Sequence, residues 1–540
     1  MEKTIKYLLY FFILGCLVFP YVLKKKNIFT IAPLKGTLEN FEKPKLALST
    51  LKSGEYQEQF NKYIDHNFGA RAYLIRLLNK IKFQLFHQSD APGVVVGKYN
   101  YLYLTSYTNN YMGINFIGQS KVEENARKLK QIQDSLKSQG VDLIVVFAPG
   151  KASFYSEFLP EYMNRQKKSE TNHSAYSTAF VKNGVNYMDL NSWFLSLKRK
   201  SRYALYPELG VHYTPHGTYL TTDTIVRYIE KLRSIDLPDV TDYKVYLSDS
   251  LREQEHDVEE LMNLPQPLFH QPVPYFKLNT HKYEQQVKPD VLGIGDSYWW
   301  QITGLDLPSK FFKRDVYWYY NKSIYENNIK REEGFGGLNY GDELLSRDVV
   351  VIMASEATYD LFPFEFIDKA YPILCMTKQE KVAWLKGNVS KDSNWQADIK
   401  QKAAKNNITE NEQMLRDIEY VIDNDMTAYK APKHFIDSVV HSYRGKITGN
   451  PEWFAAVKKK AAERYISLEA QIDLDAAFGY DMDYGTEEAI KSMNQIKKEI
   501  RQSKERLNAI ETYAEQHQLS FNEALAWEIK KVLDEQRWKK

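Results

Sequence analysis

Cysteine is nearly missing from this chain: Cys16 and Cys375 are the only two in 540 residues, and the first lies inside an apolar run. That excludes a bridge between them and any small domain built on disulfides. Glycine (25) and proline (19) are modest for the length, which excludes collagen-like and low-complexity chains. Charge of one sign is lacking as well. With 72 Lys and Arg against 69 Asp and Glu, the formal charge is only +3, and no overall field recruits nucleic acid. What is present is length for roughly three domains. With 43% hydrophobic residues and 39 tyrosines, each domain can bury a real core, and the rings serve cores as readily as sugar-stacking surfaces.

Long apolar runs are also scarce. The one that stands out is Tyr7 to Leu23, 17 residues with Lys3 and Lys6 ahead and Lys24, Lys25 and Lys26 behind. It falls at the short end of what crosses a bilayer and exceeds the apolar stretch of a cleaved signal peptide. The expectation is an uncleaved single-span anchor over residues 1–26. Lysines on both flanks leave its orientation open.

Between Tyr56 and Phe86, apolar residues recur at spacings near three and four, which predicts two amphipathic helices in a lead-in region over 27–92. Short β-branched runs follow at Val94 to Val96, Leu143 to Phe147, Val291 to Ile294 and Val349 to Met353, with a weaker one at Val185 to Met188. Helical patterns such as Val122 to Leu136 and Tyr219 to Leu232 separate most of them. Such alternation predicts an α/β domain over 93–377, a parallel sheet flanked by helices. After about Thr377 the strand pattern stops, and a helical region runs over 378–540. Trp395, Ile399, Ala403 and Ile408 recur as Trp453, Val457, Ala461 and Ile466, each shifted by 58, with a fainter third copy at Ala514 and Leu519. Thr409 with Glu412, and Ser520 with Glu523, read as capping boxes that open the second helix of a pair. Helix pairs stacked for structural reasons are the expectation.

Two segments carry chemistry. Gly295-Asp296-Ser297 ends a predicted strand and precedes the helical stretch from Tyr298. A serine at such a turn lies in the crevice beyond the carboxyl ends of the strands, beside backbone amides that can hold an oxyanion. The second is Val211-His212-Tyr213-Thr214-Pro215-His216-Gly217, where Thr214 caps the next helix and Pro215 takes its first position. His212 then lies just ahead of a helix amino terminus, whose dipole favours the neutral ring and suits it to deprotonate a serine. The rival reading, His212 and His216 as zinc ligands, lacks the glutamate of a helical zinc pair and has a proline between the histidines.

The G-D-S turn, together with an earlier H-Y-T-x-x-G motif, resembles the AlgX/AlgJ-like family of polysaccharide O-acetyltransferases. Other pieces match in order: Tyr63 to Arg71, Val96-Gly97-Lys98 through Tyr103, Pro149-Gly150-Lys151-Ala152, and Tyr187 to Leu190, together spanning roughly Tyr56 to Asp360. The resemblance implies a flavodoxin-like, SGNH-hydrolase-like fold with Ser297 as nucleophile and His212 as base. It makes Gly295, Asp296 and Lys151 candidates for oxyanion or substrate contacts and calls for neither cofactor nor metal. It also implies a polysaccharide acceptor, a multi-span membrane O-acyltransferase as partner, and a periplasmic globular part held at the inner membrane. One position departs from the family: Gly210 stands where members carry the triad aspartate. Glu208, another acid or a backbone carbonyl then has to orient His212. If none does, a Ser297–His212 dyad or a degraded, non-catalytic polysaccharide-binding module remains; if water resolves the acyl-serine, the protein is an acetyl esterase.

Overall fold

The computed structural model describes residues 2–538 except 27–31, 37–40, 239–242, 279–287, 327, 332–333, 336–338, 429–432, 465–467 and 520. The chain opens with helix α1 (Glu2–Lys26), which contains Pro20. Its apolar side chains stay outward, with Leu8 66%, Phe11 64% and Phe12 68% exposed. The expected membrane span is not found: among the described residues no helix is long and apolar enough to cross a membrane. The apolar run of 17 residues extends about 26 Å as a helix, short of a hydrocarbon core of about 30 Å. The lead-in helices follow as α2 (Glu55–Asn67) and α3 (Arg71–Phe86), neither of which buries a residue.

The core is a seven-stranded sheet. In chain order its strands are β1 (Asp142–Phe147), β2 (Tyr187–Asp189), β3 (Val291–Gly295), β4 (Val316–Tyr319), β5 (Ser323–Glu326), β6 (Ile329–Lys330) and β7 (Val349–Ala354). Their spatial order is β6-β5-β4-β3-β7-β1-β2. The five strands from β4 to β2 are parallel, whereas β5 and β6 form an antiparallel edge. Side chains alternate across a strand, so both faces of the central strands must be apolar. Ile144, Val146, Val349, Val351 and Met353 join one core with helices α6 (Pro215–Arg233) and α8 (Tyr298–Gly304). Leu143, Val145, Phe147, Val350 and Ile352 join the other, with α4 (Gln119–Ser138), α5 (Asn172–Asn183) and α9 (Phe366–Leu374). Between α6 and β3 the chain makes an excursion that contains the short helix α7 (Asp257–Met262) and a hairpin of Tyr243–Ser248 with Val273–Leu278.

Four of the five predicted runs lie in this sheet. The fifth, Val94–Val96, pairs instead with Leu102–Leu104 in a separate antiparallel hairpin. Beyond Thr377, which caps Lys378–Val389 through a capping box with Glu380, the described elements are all helices. The repeated motif falls on Ser393–Asn406 and Pro451–Arg464, each followed by a longer helix, and a third such pair is Lys504–Gln516 with Phe521–Trp538. Its recurring positions Ile399, Ala403, Val457, Ala461 and Ala514 are buried, so the repeat is a packing pattern. Thr409 and Glu412 make their capping box; Ser520 lies outside the described residues.

Register levels the rim. Phe147 pairs with Ala354, and Met353 with Gly295, so the turns after β1, β3 and β7 emerge side by side at the carboxyl edge, where β7 inserts between strands that precede it in the chain. Open α/β sheets bind their ligands at such a switch point.

Candidate active site

Ser297 and His212 meet at this rim. Ser297 Oγ lies 2.9 Å from His212 Nε2, and both side chains are half-buried. On the far side of the ring, His212 Nδ1 lies 2.6 Å from Asp257 Oδ2. The other oxygen of Asp257 accepts the Val211 amide at 3.1 Å. A carboxylate that accepts from both the ring and its own loop places the proton on Nδ1 and leaves the Nε2 lone pair toward the serine hydroxyl. The three groups have the geometry of a nucleophile, a base and an orienting acid.

The sequence places two of these residues within readable motifs; the third comes from the excursion. Asp257 heads α7, 45 residues after His212, with no motif to mark it. Gly210 is what lets it in. A Cβ built on Gly210 would lie 2.6 Å from the Gln254 carbonyl and 2.8 Å from that of Glu255, so the backbone leading to Asp257 rests on the bare α-carbon of residue 210. Position 210, where the resemblance leads one to expect an aspartate, here makes room for an acid from elsewhere. Glu208 does not orient His212: its carboxylate accepts the Gln271 amide at 3.3 Å.

The other candidates turn out to be supports. Lys151 is fully buried, and its ammonium donates to the carbonyls of Glu208 and Gly210, each at 2.7 Å. It clamps the loop that precedes His212. Burial pushes its pKa down to about 7, and a neutral amine still has two N–H groups for the two carbonyls. The turn around it is equally committed. The Gly150 amide donates to Asn191 Oδ1, the Ala152 and Ser153 amides donate to the Glu356 carboxylate, and the Ser153 hydroxyl also bonds Glu356. Burial raises the Glu356 pKa to about 7 against these bonds. Asp296 is buried too, accepting from the Tyr298 amide (3.0 Å), the Ser355 amide (2.8 Å) and the Thr358 hydroxyl (2.5 Å). It ties the serine turn to the end of β7. Gly295 allows strand contact, since a Cβ there would lie 2.4 Å from the Met353 carbonyl.

Helix α8 holds the opposite side of the histidine loop. Tyr298 donates its hydroxyl to the Val211 carbonyl at 2.6 Å, and Gln301 bridges both backbone groups of Tyr213, at 3.3 and 2.9 Å. The residues just after the serine thus fix the loop that carries its base. His216 takes no part. It is buried among apolar groups, which lowers its pKa, and both nitrogens of His212 are already engaged. Among the described residues no cluster of metal-ligating side chains occurs. Beside Gly295 the neighbouring strand ends at Tyr319, and the half-buried rings of Trp300, Tyr319, Tyr320 and Tyr325 gather there, with Trp300 and Tyr325 centred 4.5 Å apart.

Comparison with known proteins finds a family and relatives for part of the chain. Residues 94–298 match the family model of the SGNH hydrolase-like domain, acetyltransferase AlgX. A probable alginate O-acetylase AlgJ of Pseudomonas putida is 19% identical over 197 residues, 36% of this chain and 48% of that protein. Its namesake from Pseudomonas fluorescens is 25% identical over 113 residues, 21% of this chain and 27% of that protein. The chain thus spans about half the length of the first of these relatives and about a quarter of the second. The solved O-acetyltransferase domain of Pseudomonas putida AlgJ aligns with 52% of this chain and 99% of its own, at 16% identity and a TM-score of 0.33. The fold rests on the strand order above and not on that superposition.

Proposed function

We propose that this chain, whose residues 94–298 match the AlgX/AlgJ-like O-acetyltransferase family, transfers acetyl groups to hydroxyls of a polysaccharide through an acetyl-serine at Ser297. The observation that carries the reading is the unbroken hydrogen-bonded series Ser297, His212, Asp257. In the first half-reaction Ser297 Oγ attacks the acetyl carbonyl of the donor while His212 Nε2 takes the hydroxyl proton. The donor's bond to the acetyl carbon breaks, and the imidazolium returns the proton to the leaving group. In the second half, a sugar hydroxyl gives its proton to His212 and attacks the acetyl-serine, and Ser297 leaves with that proton. Asp257 stabilises the imidazolium in both halves without being protonated itself. The Ser297 amide, at the head of α8, is the donor we assign to the oxyanion.

The ring cluster of Trp300, Tyr319, Tyr320 and Tyr325 supports a sugar acceptor, since aromatic faces stack on pyranose rings while their polar tips stay wet. The outward apolar side chains of α1 support attachment to a membrane. The globular part is then periplasmic and served by a multi-span membrane O-acyltransferase, the arrangement the resemblance implies.

A chromogenic acetyl ester offered with and without acceptor oligosaccharide tests the reading. Acetylated sugar formed by the native chain, and lost in Ser297→Ala and His212→Ala, is the expected outcome. Acetate alone in both conditions would make the protein an esterase. Equal background rates in all three chains would leave a binding module.

A further inference from the structure

Helix α3 turns a broad apolar stripe outward. Its outward side chains are Tyr73 (58% exposed), Leu74 (47%), Leu77 (41%), Leu78 (48%), Ile81 (44%) and Leu85 (71%), recurring at the spacings of one helix face. The opposite face is turned toward the protein and is mixed, with Ala72, Ile75 and Phe83 half-buried there and Phe83 packed against the core. There Arg76 donates to the carbonyls of Ala32 (2.9 Å) and Pro33 (2.8 Å), Asn79 to the carbonyl of Met262 (2.7 Å), and Lys82 to Asp90 (2.5 Å). A surface helix ordinarily buries its apolar stripe and wets its charges. Here the hydrogen bonds and the packing of Phe83 fix the inward face and leave six large apolar side chains exposed among the described residues.

We propose that this stripe seats the α/β domain on a lipid surface. Lipid fits the stripe's chemistry, because a bilayer interface accepts leucine and isoleucine with no matching donors or acceptors, and a tyrosine hydroxyl sits comfortably at headgroup level. Arg71 and Lys80 stand at the edges of the stripe, and the helix has no carboxylate, a balance that suits anionic headgroups along its flanks. The apolar side chains of α1 are equally uncovered, so both outward apolar surfaces belong to the amino-terminal part of the chain. Lying in the plane of the interface, α3 spans about 24 Å. Asn79 joins it to Met262, the last residue of α7, whose first residue is Asp257. A seated α3 therefore holds the Ser297, His212 and Asp257 rim near the bilayer surface. The inference does not rest on acetyl transfer, and its failure would leave that reading untouched.

The test places a fluorescent label on Leu78→Cys and, separately, on Val181→Cys, 78% exposed on α5 against the other face of the sheet, in the full chain with Cys16→Ser and Cys375→Ser. Each chain is reconstituted in phosphatidylethanolamine and phosphatidylglycerol vesicles with and without brominated acyl chains. Both positions lie outside the buried core, and a melting temperature equal to that of the unlabelled chain checks the fold. The expected result is roughly twofold quenching by brominated lipid at position 78 with little at position 181, one side of the sheet seated and the other in water. An unquenched label at 78 would overturn the proposal, and blue-shifted emission without quenching would assign the stripe to a protein partner or a second copy. Equal quenching at both positions would also overturn it, because the domain would then have no seated side.

Discussion

Exchanging Asp257 for asparagine removes one charge and turns one acceptor into a donor, and the two bonds made by its carboxylate let the cost be worked out. Asp257 accepts the Val211 amide at 3.1 Å through one oxygen and His212 Nδ1–H at 2.6 Å through the other. An asparagine has a single oxygen to offer. Kept on His212, it leaves the amide NH₂ against the Val211 N–H; a buried donor without an acceptor costs about 1–3 kcal/mol, and the imidazolium also loses its counter-charge. Kept on Val211, it presents NH₂ to Nδ1 and drives the ring proton to Nε2, where it faces the Ser297 hydroxyl and no base remains. In serine proteases that wrong tautomer costs about 10⁴ in kcat, equivalent to about 5.5 kcal/mol of barrier. The expected loss in kcat/KM for Asp257→Asn therefore lies between about 10² and 10⁴, with the KM for a small acetyl ester changing little. Steady-state hydrolysis of a chromogenic acetyl ester by the full chain measures it. Glu208→Gln, altered at the acid next to the histidine loop, should stay within about twofold of the native rate. Retention of more than about a tenth of native kcat/KM by Asp257→Asn, or an equal loss in Glu208→Gln, would refute the assignment of the orienting acid.

Lys151→Met should lower both melting temperature and kcat, because two buried carbonyls of the histidine loop lose their donor. The same variant carries a pH signature. Between about 7 and the ordinary 10.5 the unfolded chain binds a proton that the folded Lys151 does not, so native stability rises with pH across that window. Thermal melts over this range should show a shallower rise in Lys151→Met, and identical slopes would contradict a buried, loop-clamping amine. Gly210→Ala should shift the backbone that carries Asp257, since its Cβ meets the Gln254 carbonyl at 2.6 Å. A displacement of about 1 Å in a catalytic group costs about 10²-fold in rate, and an unchanged ester hydrolysis rate would show that residue 210 makes no such room.

The serine and the histidine were legible in the sequence because each sits in local grammar. Ser297 closes a continuous apolar strand at a Gly-Asp turn, and His212 precedes a Thr-Pro helix start. Thr214 indeed accepts the Gly217 amide at 3.1 Å and Pro215 begins α6. Asp257 follows no such rule, since it reaches the site from an excursion whose hairpin and short helix carry no strong period, and only the three-dimensional approach to Gly210 reveals it. Lys151 was marked by its turn, but a side chain's direction is not written in its spacing, and the ammonium points at carbonyls and away from substrate. Val94 to Val96 shows a related limit: a β-branched run announces a strand without naming its partner. Val316–Tyr319 and Ser323–Glu326 escaped notice because aromatic and polar residues interrupt the apolar signal that marks the other strands. The helical region beyond Thr377 read well, because capping boxes and the 58-residue recurrence are local features.

The central claim is a covalent acetyl group on one hydroxyl. Rapid acid quench of the full chain mixed with an activated acetyl donor, followed by peptide mass spectrometry, should find a single acetyl group on the peptide that carries Ser297. It should be absent in Ser297→Ala and much reduced in Asp257→Asn. Acetylation that persists in Ser297→Ala, or turnover by the native chain without any acetyl group on Ser297, would contradict the account.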